Sequence, residues 1–227
     1  MFRFQTYTKP WIKKETPFEK EQRAGEIFRR LKKTYPKAVI ALTYKTNFEL
    51  LVAVILSAQC TDKKVNEITP ALFKKYPSVR AFARANIAEL ETLIHSSGFY
   101  HNKAKSIIGA AKKIESDFKG EVPRTMKEIL TVPGIARKSA NVILGNAYGV
   151  VDGIAVDTHV GRISQRWAFT ASDNPVKIEQ DLMELLPKKE WFGATYRIID
   201  HGRAICKAQR PECARCPLKD ICPSSLV

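Results

Sequence analysis

The sequence predicts an all-α protein, and three observations carry that prediction. Apolar residues recur at helical spacing in segment after segment. No stretch alternates convincingly with the period of two that a half-buried strand needs. The segments are punctuated by stops and caps, at Tyr35-Pro36, Pro77, Asn86, Gly98 and Asn174-Pro175. The chain has 227 residues, 44% of them hydrophobic. That is enough for one large domain or two small ones sharing an interface.

Taken in order, residues 18–34 form a heavily charged helix that Tyr35-Pro36 ends. Thr46-x-x-Glu49 is a capping box opening a helix over 48–58. Leu50, Leu51, Val52, Val54, Ile55 and Leu56 are apolar nearly all round, so this helix belongs at the centre of the first domain. Gln59 at its exposed end reads either as a cap or as an amide held out for a partner, and Cys60 as a structural thiol. Helices follow near 62–76, 79–85, 87–95 and 103–117. Between the last two lies Ser97-Gly98-Phe99-Tyr100, a turn whose two rings, on the plainest reading, cap the core. His95 and His101 lack metal spacing and read as surface or turn residues. Further helices are expected over 158–168, from Pro175 to 186 behind an Asn174 cap, and over 192–204.

The most informative stretch runs from Thr125 to His159. Met126, Ile129 and Leu130 give a short helix one apolar face, Val132-Pro133-Gly134-Ile135-Ala136 reverses the chain, and Ala140, Val142, Ile143 and Leu144 line the next helix. This is a helix-hairpin-helix. Such a turn leaves backbone N–H groups at the positive helix end, where a phosphate is held without side chains. Lys138 falls in the first helical turn. Nineteen residues later Asp157 stands between Ile154-Ala155-Val156 and Thr158-His159, which predicts a buried acid at the mouth of a cleft. An amine and a carboxylate together suggest chemistry on DNA. The plainer readings are a phosphate-binding lysine and a helix N-cap, the latter compatible with catalysis.

Charge points the same way. The formal net charge is +15, and residues 1–37 carry eleven Lys or Arg against four Glu, so +7 lies there. A polyanion partner fits this balance better than a metabolite, and the N-terminal arm is expected to be disordered or loosely docked. No run approaches the roughly 18 apolar residues of a membrane span. The start MFRFQTYTKPWIKK lacks a signal-peptide core, although its lack of acids leaves a short organelle-targeting segment open. A soluble intracellular protein is expected. Cys206, Cys213, Cys216 and Cys222 follow the spacing C-x6-C-x2-C-x5-C. In a reducing compartment that argues for metal ligation over disulfides, with zinc and an iron-sulfur cube both open on spacing alone.

The segments LTVPGIARKSAN, AVDTH and LLVAVILSAQCTD, together with the cysteine tail, resemble the endonuclease III family of DNA glycosylases with lyase activity. The resemblance spans nearly the whole chain beyond the first forty residues. It implies a two-domain helix-hairpin-helix glycosylase fold: a six-helix domain over 40–152, and an iron-sulfur domain over 153–227 that packs with the basic arm and first helix of 1–39. It implies one 4Fe-4S cluster on Cys206, Cys213, Cys216 and Cys222, duplex DNA containing damaged pyrimidines or abasic sites as partner, no membrane, and a monomer. The expected location is the cytoplasm at the nucleoid, or an organelle or nucleus in a eukaryote.

By the same resemblance, Lys138 is the nucleophile and Asp157 its acidic partner. Gln59 enters the space left by a flipped nucleotide, and Phe99 stands where a leucine wedge is usual. Gly134, Ala136 and Arg137 of the hairpin and Lys207 and Arg210 between the first two cysteines are DNA contacts. Ala136 replaces a second hairpin glycine, so its methyl is expected to disturb the turn or the phosphate's approach. From their place next to Cys206, His201 and Arg203 read either as phosphate contacts or as solvated residues. The positive helix end and the neighbouring Arg137 favour a neutral Lys138 amine, while Asp157 opposes this but can accept its proton. Adenine-removing relatives usually lack the lysine and carry a further C-terminal domain, and a non-catalytic helix-hairpin-helix module needs neither lysine nor aspartate.

Overall fold

A computed structural model describes residues 7–227, and among them every regular element is helical. After a 3-10 turn at Pro10–Lys14, α1 spans Pro17–Thr34. It opens with a capping box absent from the sequence expectations: Glu19 N donates to Thr16 Oγ1 (3.3 Å) and Thr16 N to Glu19 Oε2 (2.8 Å). Ala24, Ile27, Phe28 and Leu31, spaced i, i+3, i+4, i+7, bury one face.

The next helices are α2 (Asn47–Leu56), α3 (Asp62–Lys75), α4 (Val79–Ala83), α5 (Ile87–Ile94), α6 (Tyr100–Asp117), α7 (Met126–Ile129) and α8 (Arg137–Tyr148). Residues 40–152 form one compact unit, and α2 lies in its core against α3, α6 and α8. Every residue of α2 from Leu50 to Leu56 is buried. Each of its buried Leu, Val and Ile side chains contributes roughly 1.5–3 kcal/mol of burial. At Thr46 only half of the expected capping box forms, because the Glu49 carboxylate accepts from Lys45 N (2.6 Å). The helix stops two residues short of expectation, where Ser57 N donates to Ala53 O and Ser57 Oγ to Val54 O.

The chain continues through α9 (Thr158–Arg166), α10 (Pro175–Leu185) and α11 (Lys188–Ala204) to a 3-10 turn at Cys213–Arg215. With residues 7–39 they form the other unit, whose core joins Ile27, Phe28 and Leu31 to Val160, Ile163, Trp167 and Ile198. α6 begins three residues earlier than the sequence suggested and α11 four, since Phe99 and Pro187 serve as their N-terminal boundaries.

From residue 7 on, the basic arm is docked rather than loose; residues 1–6 and most of the acid-free start's first half lie outside the described residues. The reason is specific pairing. Thr8 N and Lys9 N donate to Pro223 O (2.8 and 3.1 Å). Arg23, buried, grips Glu15 and donates to Trp167 O (2.8 Å) while its guanidinium lies over the rings of Trp11 and Phe169. A charge pair buried this well is costly to break, since removing one partner strands the other. Among the described residues no helix is long and apolar enough to cross a membrane.

Candidate active site

The hairpin is built around Gly134. Its φ is +81°, and a Cβ there would stand 2.7 Å from the Ser106 Cβ on α6, so both backbone and space demand glycine. The turn presses closely onto α6 on its other side as well, where a Cβ on Gly109 would meet Pro133 at 3.2 Å. Ala136 is different. It is the N-cap of α8 at φ −104°, ψ 170°, extended backbone open to any residue, so its methyl does not strain the turn as expected.

Ala136 offers no side-chain cap, which leaves the first N–H groups of α8 without that acceptor. Lys138, the second residue of the helix, is exposed. Arg137 lies 3.6 Å from Asp152. Asp157 is half-buried rather than buried. It is the N-cap of α9, with Oδ1 accepting from Val160 N at 2.8 Å, and so keeps one oxygen committed to the helix.

Five non-glycine residues among those described have positive φ: Gln59, Phe99, Lys119, Ala168 and Arg210. Lys119 and Ala168 follow helix C-caps, where the left-handed conformation is ordinary. The other three are among the predicted DNA contacts. Each conformation costs on the order of 1–3 kcal/mol and persists only where surroundings enforce it, a pattern concentrated at functional sites. Gln59 is exposed and its amide has no partner among the described residues, so it does not cap α2. Phe99 is 63% exposed and points away from the core that Tyr100 helps cover. Of the turn's two rings, only Tyr100 caps the core.

The four tail cysteines line one cavity of about 190 Å³, and none is in a disulfide. Around them stand donors suited to anionic sulfur: Arg166 Nη1 is 3.2 Å from Cys206 Sγ and Leu218 N is 3.4 Å from Cys216 Sγ. Burial pushes the Cys216 thiol up to about 11 and Cys222 to about 12, so ligation here displaces protons. The donor set and its cavity fit a thiolate-held cluster. Arg162 and Arg166 also tie the first ligand's loop to α9: Arg162 Nη2 donates to Cys206 O (3.0 Å), and Arg166 to Lys207 O (2.7 Å) and Ala208 O (2.9 Å). Sequence reasoning missed both arginines, whose spacing carries no signal. His201, expected at phosphates, is 1% exposed and packs between Tyr35 and Cys216, so it is a core residue; Arg203 is exposed. Lys207 pairs with Glu212, while Arg210 stands exposed.

Two family profiles match the chain. Residues 52–188 match the HhH-GPD superfamily of base excision DNA repair proteins, and residues 206–222 match the iron-sulfur binding domain of endonuclease III. Endonuclease III of Synechocystis sp. is 53% identical over 91% of this chain and 94% of its own. That of Bacillus subtilis is 45% identical over 83% and 86%. A solved structure of a trapped endonuclease III–DNA covalent intermediate superposes with a TM-score of 0.86 at 41% identity, covering 90% of this chain and 96% of that one. The chain therefore belongs to the endonuclease III family within that superfamily. It is a base-excision repair enzyme, a DNA glycosylase and abasic-site lyase, with a 4Fe-4S centre.

Cys206, Cys213, Cys216 and Cys222 would hold that cluster, which when bound cross-links the tail loop at four points. Cys213→Ala is expected to lose the cluster and its brown absorbance near roughly 400 nm. Stoichiometric zinc without iron or sulfide in anaerobically prepared wild-type protein would overturn the assignment.

Proposed function

We propose that this enzyme removes oxidised or ring-saturated pyrimidines from duplex DNA and then cleaves the abasic site by β-elimination, with Lys138 as nucleophile. The observation that carries the reading is the exposed Lys138 amine in the first turn of α8, a helix whose N-cap, Ala136, has no side chain to cap it. A phosphate at that helix end would register the backbone while the amine meets the sugar.

A stacked duplex hides C1′, so the damaged nucleotide must first be extruded. Gln59 and Phe99, both exposed and both held in left-handed conformations, are assigned to the gap it leaves. The Lys138 nitrogen bonds to C1′, the glycosidic C–N bond breaks, and its electron pair leaves with the base, which takes up a proton. Asp157 balances the positive charge that develops on the sugar and accepts the proton that the attacking amine sheds. The nitrogen's remaining electron pair then expels O4′, which takes up a proton as the C1′–O4′ bond breaks, leaving the opened sugar joined to Lys138 as a protonated imine. That imine acidifies C2′–H, whose loss expels the 3′-phosphate with its electrons. Water then releases the lysine.

The test is borohydride reduction of wild-type enzyme mixed with abasic duplex DNA, which must give a covalent adduct. Its absence would remove the lyase reading. A panel of duplexes with defined lesions then checks the substrate class; equal turnover of intact pyrimidines would remove that part. We infer that the enzyme acts as a monomer in the cytoplasm, at the nucleoid, where its duplex DNA substrate lies.

Arg210 and Lys207 are assigned to the DNA backbone. Arg210→Ala should flatten the slope of log affinity against log salt by about 1, with similar losses on every sequence. Lys207→Ala should change it less, because its ammonium is already paired with Glu212. An unchanged slope in the double variant would mean that this loop does not touch phosphates.

A further inference from the structure

Lys103 sits in the first turn of α6 and is only 5% exposed. Its position is unfavourable on two counts. The chain removes an ammonium from water there, and it places that charge at the positive end of an 18-residue helix. Burial accordingly pulls its pKa down. What offsets this is a pair of acceptors: Nζ donates to Leu56 O and to Ser97 O, each at 2.8 Å. Leu56 closes α2, three residues before Gln59. Ser97, itself buried, lies two residues before Phe99.

One side chain thus ties together two loops that are 40 residues apart in sequence, and each loop presents an exposed left-handed residue. We propose that Lys103 is a positioning residue that holds the Gln59 and Phe99 loops at one fixed spacing, so that the two side chains enter the duplex as a pair. This rests on the assignment of those two residues to the gap beside an extruded nucleotide. An apolar residue at 103 would fill the core but leave both carbonyls unanswered, and the loops would move independently. A lysine is suited to the task because its flexible stem crosses the core while the ammonium bonds more than one carbonyl.

The experiment compares full-length wild type with Lys103→Met and the milder Lys103→Gln, whose amide keeps two N–H donors on a shorter stem. Two substrates separate the steps: a single-stranded oligonucleotide with an abasic site, read by borohydride trapping, and a duplex with one ring-saturated pyrimidine beside a 2-aminopurine, read by excision and by fluorescence. Lys103→Met should lose about a hundredfold in duplex excision, the scale of a small misplacement of reacting groups. The rise in 2-aminopurine fluorescence that reports unstacking should disappear with it. Trapping on the single strand should fall far less, and Lys103→Gln should be intermediate on the duplex alone. Equal losses on both substrates, wild-type duplex excision by folded Lys103→Met, or failure of both variants to fold would each overturn the proposal. If wild-type protein itself is not trapped on abasic DNA, the proposed lyase reaction fails instead.

Discussion

Lys138→Gln is expected to abolish borohydride trapping on abasic duplex DNA while damaged DNA still binds. Glutamine retains similar length and hydrogen-bonding capacity but has no amine to form an imine. The position is exposed and close to the start of α8, where Gln and Lys have similar helix propensity, so the fold should not change. Thermal melting checks that point. A variant that melts like wild type, binds, and gives no adduct separates chemistry from recognition. Retained trapping would show that another amine attacks C1′, and the assignment of Lys138 would fall.

Asp157→Asn should cost about a hundredfold or more in base excision, the usual scale of lost acid-base assistance. The structure makes this substitution unusually clean. Asp157 caps α9 through Val160 N, and asparagine is an equally good N-cap, so the helix should keep its start and the melting temperature should hardly move. Asp157→Ala supplies the contrast, since losing the cap as well should cost about 1 kcal/mol of stability. Cleavage at a pre-formed abasic site should suffer less in Asp157→Asn, because no base has to depart. Equal losses on damaged-base and abasic substrates would instead assign the carboxylate to folding or to the lysine generally.

Much of this was legible in the sequence, because the determinants are local. The apolar run 50–56, the Pro133-Gly134 turn and the Asp157 cap each state their structure within a few residues. Helix ends were less legible, and α2 shows why: a serine turn, not its apolar pattern, ends it. The left-handed backbone at Gln59 and Phe99 was invisible, since neither residue type announces it. Lys103 did leave a trace. It falls in phase with Ile107, Ala110 and Ile114, all buried, so a cation stands in an apolar stripe. Such a residue is more informative than a cation on a charged face, because burial obliges it to have partners. Arg162 and Arg166 left none, as their partners are backbone carbonyls of a loop some 40 residues on.

The stapling of Thr8 and Lys9 to Pro223, and of Arg23 to Trp167, orders events during synthesis. Residues 40–152 are contiguous and can collapse as they leave the ribosome, whereas α1 must wait for packing partners that are made only after that unit. At typical elongation rates that wait is on the order of ten seconds. Throughout it, the apolar face of α1, with Ile27, Phe28 and Leu31, has nothing to pack against. Nascent chains are therefore vulnerable at α1, and chaperone capture or proteolysis during translation should concentrate there rather than on the helices around α2.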